Sequence, residues 1–116
     1  MFKNILILAA LLSAFNILQA KSNPRIDTAK HHSILLAKMD IGRKQIKFLL
    51  RGGIVSTHVK GQEVFEEKFG ITYADFGCIM PVNLSIADYN KTIASYLDQR
   101  YGKSWRKEVR KDVIGI

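Results

Sequence analysis

Cysteine, proline and tryptophan are scarce in this chain: one, two and one residue respectively among 116. A lone cysteine, Cys78, leaves pairing to another chain as the only disulfide open to it, so no internal cross-link stands in for a hydrophobic core. Long apolar runs are missing too. The longest, Ile5 to Leu18, is interrupted by Ser13 and Asn16 and falls short of the roughly twenty apolar residues that a spanning helix needs. The chain carries no zinc-ligand spacing, no phosphate-binding glycine loop and no serine nucleophile elbow, which removes the function classes that announce themselves by motif. Internal repeats and low-complexity tracts are absent as well. Acidic residues are in deficit, 10 against 18 Lys and Arg, for a net charge of +8.

What is present fits one small globular domain: 47% of residues are hydrophobic and 24% charged. The opening "MFKNILILAALLSAFNILQA" places Lys3 before the apolar run and a short polar-to-small ending after it, the layout of a secretory signal peptide. Residues 1–20 are therefore expected to be cleaved after Ala20, leaving a domain over 21–116. No cysteine follows the run, so a lipoprotein is not expected, and the destination is periplasmic or extracellular. Loss of Lys3 leaves the mature chain strongly basic. For an exported protein that charge favours an acidic protein, an acidic polysaccharide or an anionic membrane surface over nucleic acid, for which nothing specific is read.

Along the mature chain, Pro24 delays helix until about Arg25, and a helix is predicted from Asp27 to Ile41 with Ile26, Ile34, Ala37 and Ile41 in one quadrant. Gly42 is the expected left-handed stop. Alternation of Ile46, Phe48 and Leu50 with Lys47, Leu49 and Arg51 predicts a strand with one mostly basic face. Gly52 and Gly53 permit either a tight hairpin into residues 54–59 or, the preferred continuation, a loop to the next helix. That helix, Gln62 to Phe69, places Phe65 and Phe69 on one face and stops at Gly70. A second strand follows, with Thr72, Ala74, Phe76 and Cys78 on its more apolar side. Ser85 and Asp88 form a capping-box-like start. After it, Ile86, Tyr89, Ile93, Leu97 and Tyr101 make an apolar stripe that ends at Gly102. A last helix is expected from Ser104, with Trp105, Val109 and Val113 opposite Arg106, Lys107, Arg110 and Lys111.

This order predicts a small two-layer α/β domain, a short two- or three-stranded sheet packed against about four helices. Two strands joined through a helix are parallel with a right-handed crossover. Since two strands alone make a poor sheet, a third from residues 54–59 or from a homodimer partner would complete it.

The run "FEEKFG" (Phe65 to Gly70), Gly77 and Cys78, and "YNKTIASYLDQRYGKSWRKEVRKDV" from Tyr89 to Val113 resemble a family of small exported bacterial proteins, typical of Bacteroidetes, known for a FEKKY motif. The resemblance covers most of the mature domain. It departs from the motif at Glu67, where the family has lysine, and at Phe69, which lacks the family's tyrosine hydroxyl. It implies a domain identity and carries over no catalytic residue.

Cys78 is read as a buried strand-end thiol, because a nucleophile needs a helix N-terminus, a cation or a histidine to depress its pKa and none is near it in sequence. Asp27 and His31 are one helical turn apart, but His31 and His32 project about 100° apart on a helix and cannot converge on one metal. His58 has no evident partner, and Glu63, Glu66 and Glu67 read as surface acids near a helix start. The best interaction candidate is the basic C-terminal segment, where Arg100, Lys103, Arg106, Lys107, Arg110 and Lys111 could bind carboxylate or phosphate. No cofactor, metal site or catalytic residue is assigned. The expectation is a non-enzymatic binding or accessory module, the alternative a small periplasmic enzyme or thiol protein using Cys78.

Overall fold

The computed structural model of the protein describes residues 24–53, 58–76 and 81–116, with side chains from Asp27 onward. The predicted signal peptide, most of the proposed third strand and Cys78 lie outside the described residues. Helix α1 spans Pro24–Gly42. It starts three residues earlier than expected, because proline is tolerated in a first turn whose N–H groups have no intrahelical acceptor. Its end also differs from the prediction. Gly42 stays helical and the left-handed residue is Lys44, at φ 57°. The Lys44 N–H donates to the Ile41 carbonyl at 3.1 Å and the Gln45 N–H to the Asp40 carbonyl at 2.8 Å, the paired closure of a Schellman motif.

Strand β1, Lys47–Leu50, pairs in parallel with β2, Thr72–Asp75, in the register Lys47↔Thr72 to Leu50↔Asp75. The crossover between them carries α2, Gln62–Phe69, closed by left-handed Gly70 at φ 61° as expected. No hairpin partner of β1 occurs among the described residues, whose sheet is two-stranded. The expected basic face of β1 is corrected: Leu49 is buried and Lys47 half-buried, so both faces are covered.

Helix α3, Ile86–Tyr101, begins at Ser85, whose hydroxyl accepts the Asp88 N–H at 3.3 Å and donates to the Asp88 carboxylate at 2.6 Å. Ile86, Tyr89, Ile93 and Leu97 of the predicted stripe are all buried, and Gly102 ends the helix. Asn90 is buried on the same helix and closes the free edge of β1. Its Oδ1 accepts the Leu49 N–H at 2.8 Å, while Nδ2 donates to the Leu49 and Ile114 carbonyls at 2.9 and 3.0 Å. One side-chain amide thus supplies what a neighbouring strand would supply.

The predicted C-terminal helix is corrected to a single 3₁₀ turn, Ser104–Lys107, followed by turns. The reason is tertiary. The Arg110 N–H goes to the Tyr73 hydroxyl at 3.2 Å, and the Ile114 carbonyl is taken by Asn90. Trp105, Val109 and Val113 are nonetheless all buried, as expected. Among the described residues the fold is a small mixed α/β domain with three α-helices and a parallel two-stranded sheet, against the about four helices expected.

The core joins Phe48, Leu49 and Leu50 of β1 to Phe65 and Phe69 of α2, the α3 stripe and Trp105. Phe48 lies 5.6 Å from Trp105 and 6.4 Å from Tyr73, centroid to centroid, and Phe65 sits 4.9 Å from Phe69 and 5.6 Å from Tyr73. Both phenylalanines of "FEEKF" are therefore packing residues. Lys68 of the same run holds Glu108 at 2.9 Å, joining α2 to the C-terminal segment.

Candidate functional site

The six cations singled out in the sequence separate into two groups. The Arg106 guanidinium binds the Asp98 carboxylate through Nε at 3.1 Å and Nη2 at 2.9 Å, and its plane lies 4.7 Å from the Trp105 ring. The Trp105 indole N–H donates to the same carboxylate at 3.0 Å. The Arg106 hydrogen bonds hold the Asp98 carboxyl below the usual carboxylate range, with the indole N–H adding to the effect and partial burial opposing it.

Arg110 is more enclosed, its side chain only 7% exposed. It binds Asp112 through Nε at 2.9 Å and Nη2 at 2.6 Å, donates from Nη1 to Gln62 Oε1 at 2.8 Å, and lies 5.3 Å from the Tyr73 ring. Its hydrogen bonds keep the Asp112 carboxyl below the ordinary range. Burial pushes the Tyr73 hydroxyl up, against the opposing pull of the Arg110 N–H and guanidinium. Arg106 is thus a bidentate clip between the C-terminal segment and α3. Arg110 closes its bidentate pair within the segment, on Asp112, and reaches α2 through the single bond to Gln62, so the best anion-binding geometry of both is already used internally.

The second group faces water. Lys103, Lys107 and Lys111 are exposed and none makes an ion pair within 4.0 Å among the described residues, although the Lys103 charge is felt at Asp98. Arg100, also exposed, donates through Nε to the Tyr101 hydroxyl at 3.1 Å and stacks on that ring at 5.5 Å. Lys103, Lys107 and Lys111 are carried by a segment that Trp105, Val109 and Val113 pin to the core, so their spacing is set by packing rather than by a helix face, while Arg100 sits in the last turn of α3.

Of the remaining candidates, His31 and His32 are exposed on α1. The expectation that His58 is unpartnered is corrected: its Nε2 lies 2.7 Å from Glu63 Oε1, with both groups more than half exposed. Glu66 accepts the Gln62 side-chain amide at 3.0 Å. Among the described residues no group of three His, Cys, Asp or Glu could hold a metal ion, and no helix is long and apolar enough to cross a membrane.

Sequence reasoning missed the partners that divide the basic set, Asp98, Asp112 and Gln62. The i to i+8 spacing of Asp98 and Arg106 crosses Gly102, where helical periodicity stops being informative. It also missed Asp40, a carboxylate only 5% exposed near the C-terminal end of α1. The Tyr89 hydroxyl donates to Asp40 Oδ2 at 2.6 Å, and Lys47 Nζ lies 3.4 Å from the same oxygen. Burial, reinforced by the Asp40 carboxylate, pushes the Tyr89 hydroxyl far above the usual tyrosine range. Comparison with family models, curated proteins and solved structures finds no match to this chain.

Proposed function

We propose that the protein is an exported, non-enzymatic binding module of the FEKKY type, and that Arg100, Lys103, Lys107 and Lys111 form its contact with an acidic partner. The observation that carries this reading is the division of labour in the C-terminal segment. Arg106 and Arg110 are neutralised internally and fix the segment, while three lysines on it stay exposed and make no ion pair among the described residues. The backbone that carries these lysines is already ordered, so only their side chains lose freedom on meeting a polyanion, and the excess positive charge of the chain speeds the encounter.

The partner chemistry is a repeated carboxylate, sulfate or phosphate, as on an acidic polysaccharide, an acidic protein or an anionic membrane. Binding to polygalacturonate and to phosphatidylglycerol vesicles, measured between low and physiological salt, distinguishes the sugar from the lipid source. Counterion release predicts that log-affinity falls against log-salt with a slope of roughly −3 to −4 for the four engaged cations. The triple variant Lys103→Glu, Lys107→Glu, Lys111→Glu should abolish both binding and slope with the fold intact. Salt-independent binding, or binding unchanged in the triple variant, would overturn the reading.

A further inference from the structure

A cavity of about 270 Å³ lies between α1, β1 and α3, walled by Leu36, Leu49, Phe76 and Leu84. Five polar residues reach it: His32, Asp40, Lys47, Asn83 and Tyr89. At its inner end Asp40 Oδ2 is occupied by the Tyr89 hydroxyl at 2.6 Å and by Lys47 Nζ at 3.4 Å. The other carboxylate oxygen, Oδ1, has no donor among the described residues. Asp40 is itself one of the residues that line the cavity.

A carboxylate on a residue 5% exposed, with one acceptor atom unengaged, is an uncommon arrangement in a folded core. The Lys47 ammonium has three protons and directs one contact to Asp40; its side chain is 32% exposed, at the cavity mouth rather than its floor. His32 and Asn83 are on the exposed side of the same opening.

We propose that this cavity is a small-molecule site for a zwitterion of apolar side chain, such as a free leucine- or phenylalanine-like α-amino acid. An acceptor and a cation side by side are complementary to an ammonium and a carboxylate side by side. In that pose the ligand ammonium donates to Asp40 Oδ1, and its carboxylate takes the spare Lys47 protons with His32 beside it. The side chain fills the space against Leu36, Leu49, Phe76 and Leu84. A simple amine would leave Lys47 unmatched, and a simple fatty acid would set its charge against Asp40. The volume lies just below the range of drug-sized ligand pockets, which begins at about 300 Å³, and suits a small ligand. This site is separate in residues and chemistry from the lysines of the C-terminal segment.

Isothermal titration calorimetry of the folded chain with L-leucine and L-phenylalanine tests the proposal, with N-acetyl-L-leucine, isoamylamine, 4-methylpentanoate and glycine as comparators. The two apolar amino acids should bind saturably, and each comparator at least tenfold more weakly. Asp40→Asn keeps an acceptor for Tyr89 but loses the charge, and should weaken leucine at least tenfold; Lys47→Met, at a partly exposed position, should do the same. Should Asp40→Asn fail to fold, Lys47→Met and the cavity-filling Leu84→Trp, each checked by circular dichroism, still decide the matter. Equal binding of N-acetyl-leucine or 4-methylpentanoate, unchanged leucine binding in a folded Lys47→Met, or no binding of either amino acid would overturn it.

Discussion

Replacing Asn90 by alanine is expected to be among the most damaging single changes in the domain, although it removes only one small amide. Three hydrogen bonds go, at 2.8, 2.9 and 3.0 Å. Two of them leave the N–H and C=O of Leu49, a residue 2% exposed, without partners. A buried backbone group so orphaned costs about 1 to 3 kcal/mol, and the half-buried Ile114 carbonyl adds less. The loss should therefore reach about 3 to 5 kcal/mol, a large share of the roughly 5 to 15 kcal/mol that holds a small domain together. Urea unfolding at neutral pH measures it directly. In a thermal melt it should appear as a drop of at least about 12 °C, at about 4 °C or more per kcal/mol for a domain of this size. Asn90→Asp separates hydrogen bonding from packing. It is nearly the same shape, yet it turns a carboxylate oxygen toward two carbonyl oxygens, and it should be no milder than alanine. A loss below about 1 kcal/mol for Asn90→Ala, or an Asn90→Asp protein close to wild type, would refute the assignment of the β1 edge to this side chain.

Lys44 holds a positive φ of 57° that costs a non-glycine residue about 1 to 2 kcal/mol, so Lys44→Gly should stabilise the protein, by about 0.5 to 1 kcal/mol once glycine's larger unfolded-state entropy is counted. Denaturant midpoints decide it, and a destabilised variant would contradict the Schellman reading. Asp98 has its folded pKa lowered, chiefly by the Arg106 hydrogen bonds, so its contribution is complete above the unfolded value of about 3.9 and is lost as pH falls through the lower folded value. Asp98→Asn should then be less stable than wild type by about 1 kcal/mol at neutral pH. The gap should close below about pH 4 in unfolding curves run from pH 7 to 2; a gap that is constant over that range would contradict the pairing.

The elements whose periodicity and caps agree were legible in the sequence. Ser85, Asp88 and Gly102 bracket α3, and Gly70 ends α2, because those signals act within a few residues. Helix α1 was legible in extent but only in part in orientation. Its most buried positions are Ser33, Ala37 and Asp40. Ala37 was in the predicted stripe, whose Ile41 packs on the core together with neighbouring Leu36, but the two polar positions turn the buried face beyond what a count of apolar residues selects. What compensates those polar groups is distant in sequence: the Ser85 N–H donates to Ser33 Oγ at 2.8 Å, and Tyr89 with Lys47 serves Asp40. The C-terminal segment was misread for a related reason. Trp105, Val109 and Val113 satisfy a four-residue spacing that 3₁₀ and turn geometry can also bury, and backbone bonds to Tyr73 and Asn90 replaced the helical ones. The candidate cations were visible as a set. Their division into clips and exposed charges depended on Asp98, Asp112 and Gln62, which no local pattern connects to them.

The amide of Asn90 ties Leu49 to Ile114, positions 65 residues apart in the chain and joined through a third. Strand β1 and the segment around Ile114 thus share one side chain, so a change that disturbs the residues around Ile114 is felt at the sheet, far in sequence from where it was made.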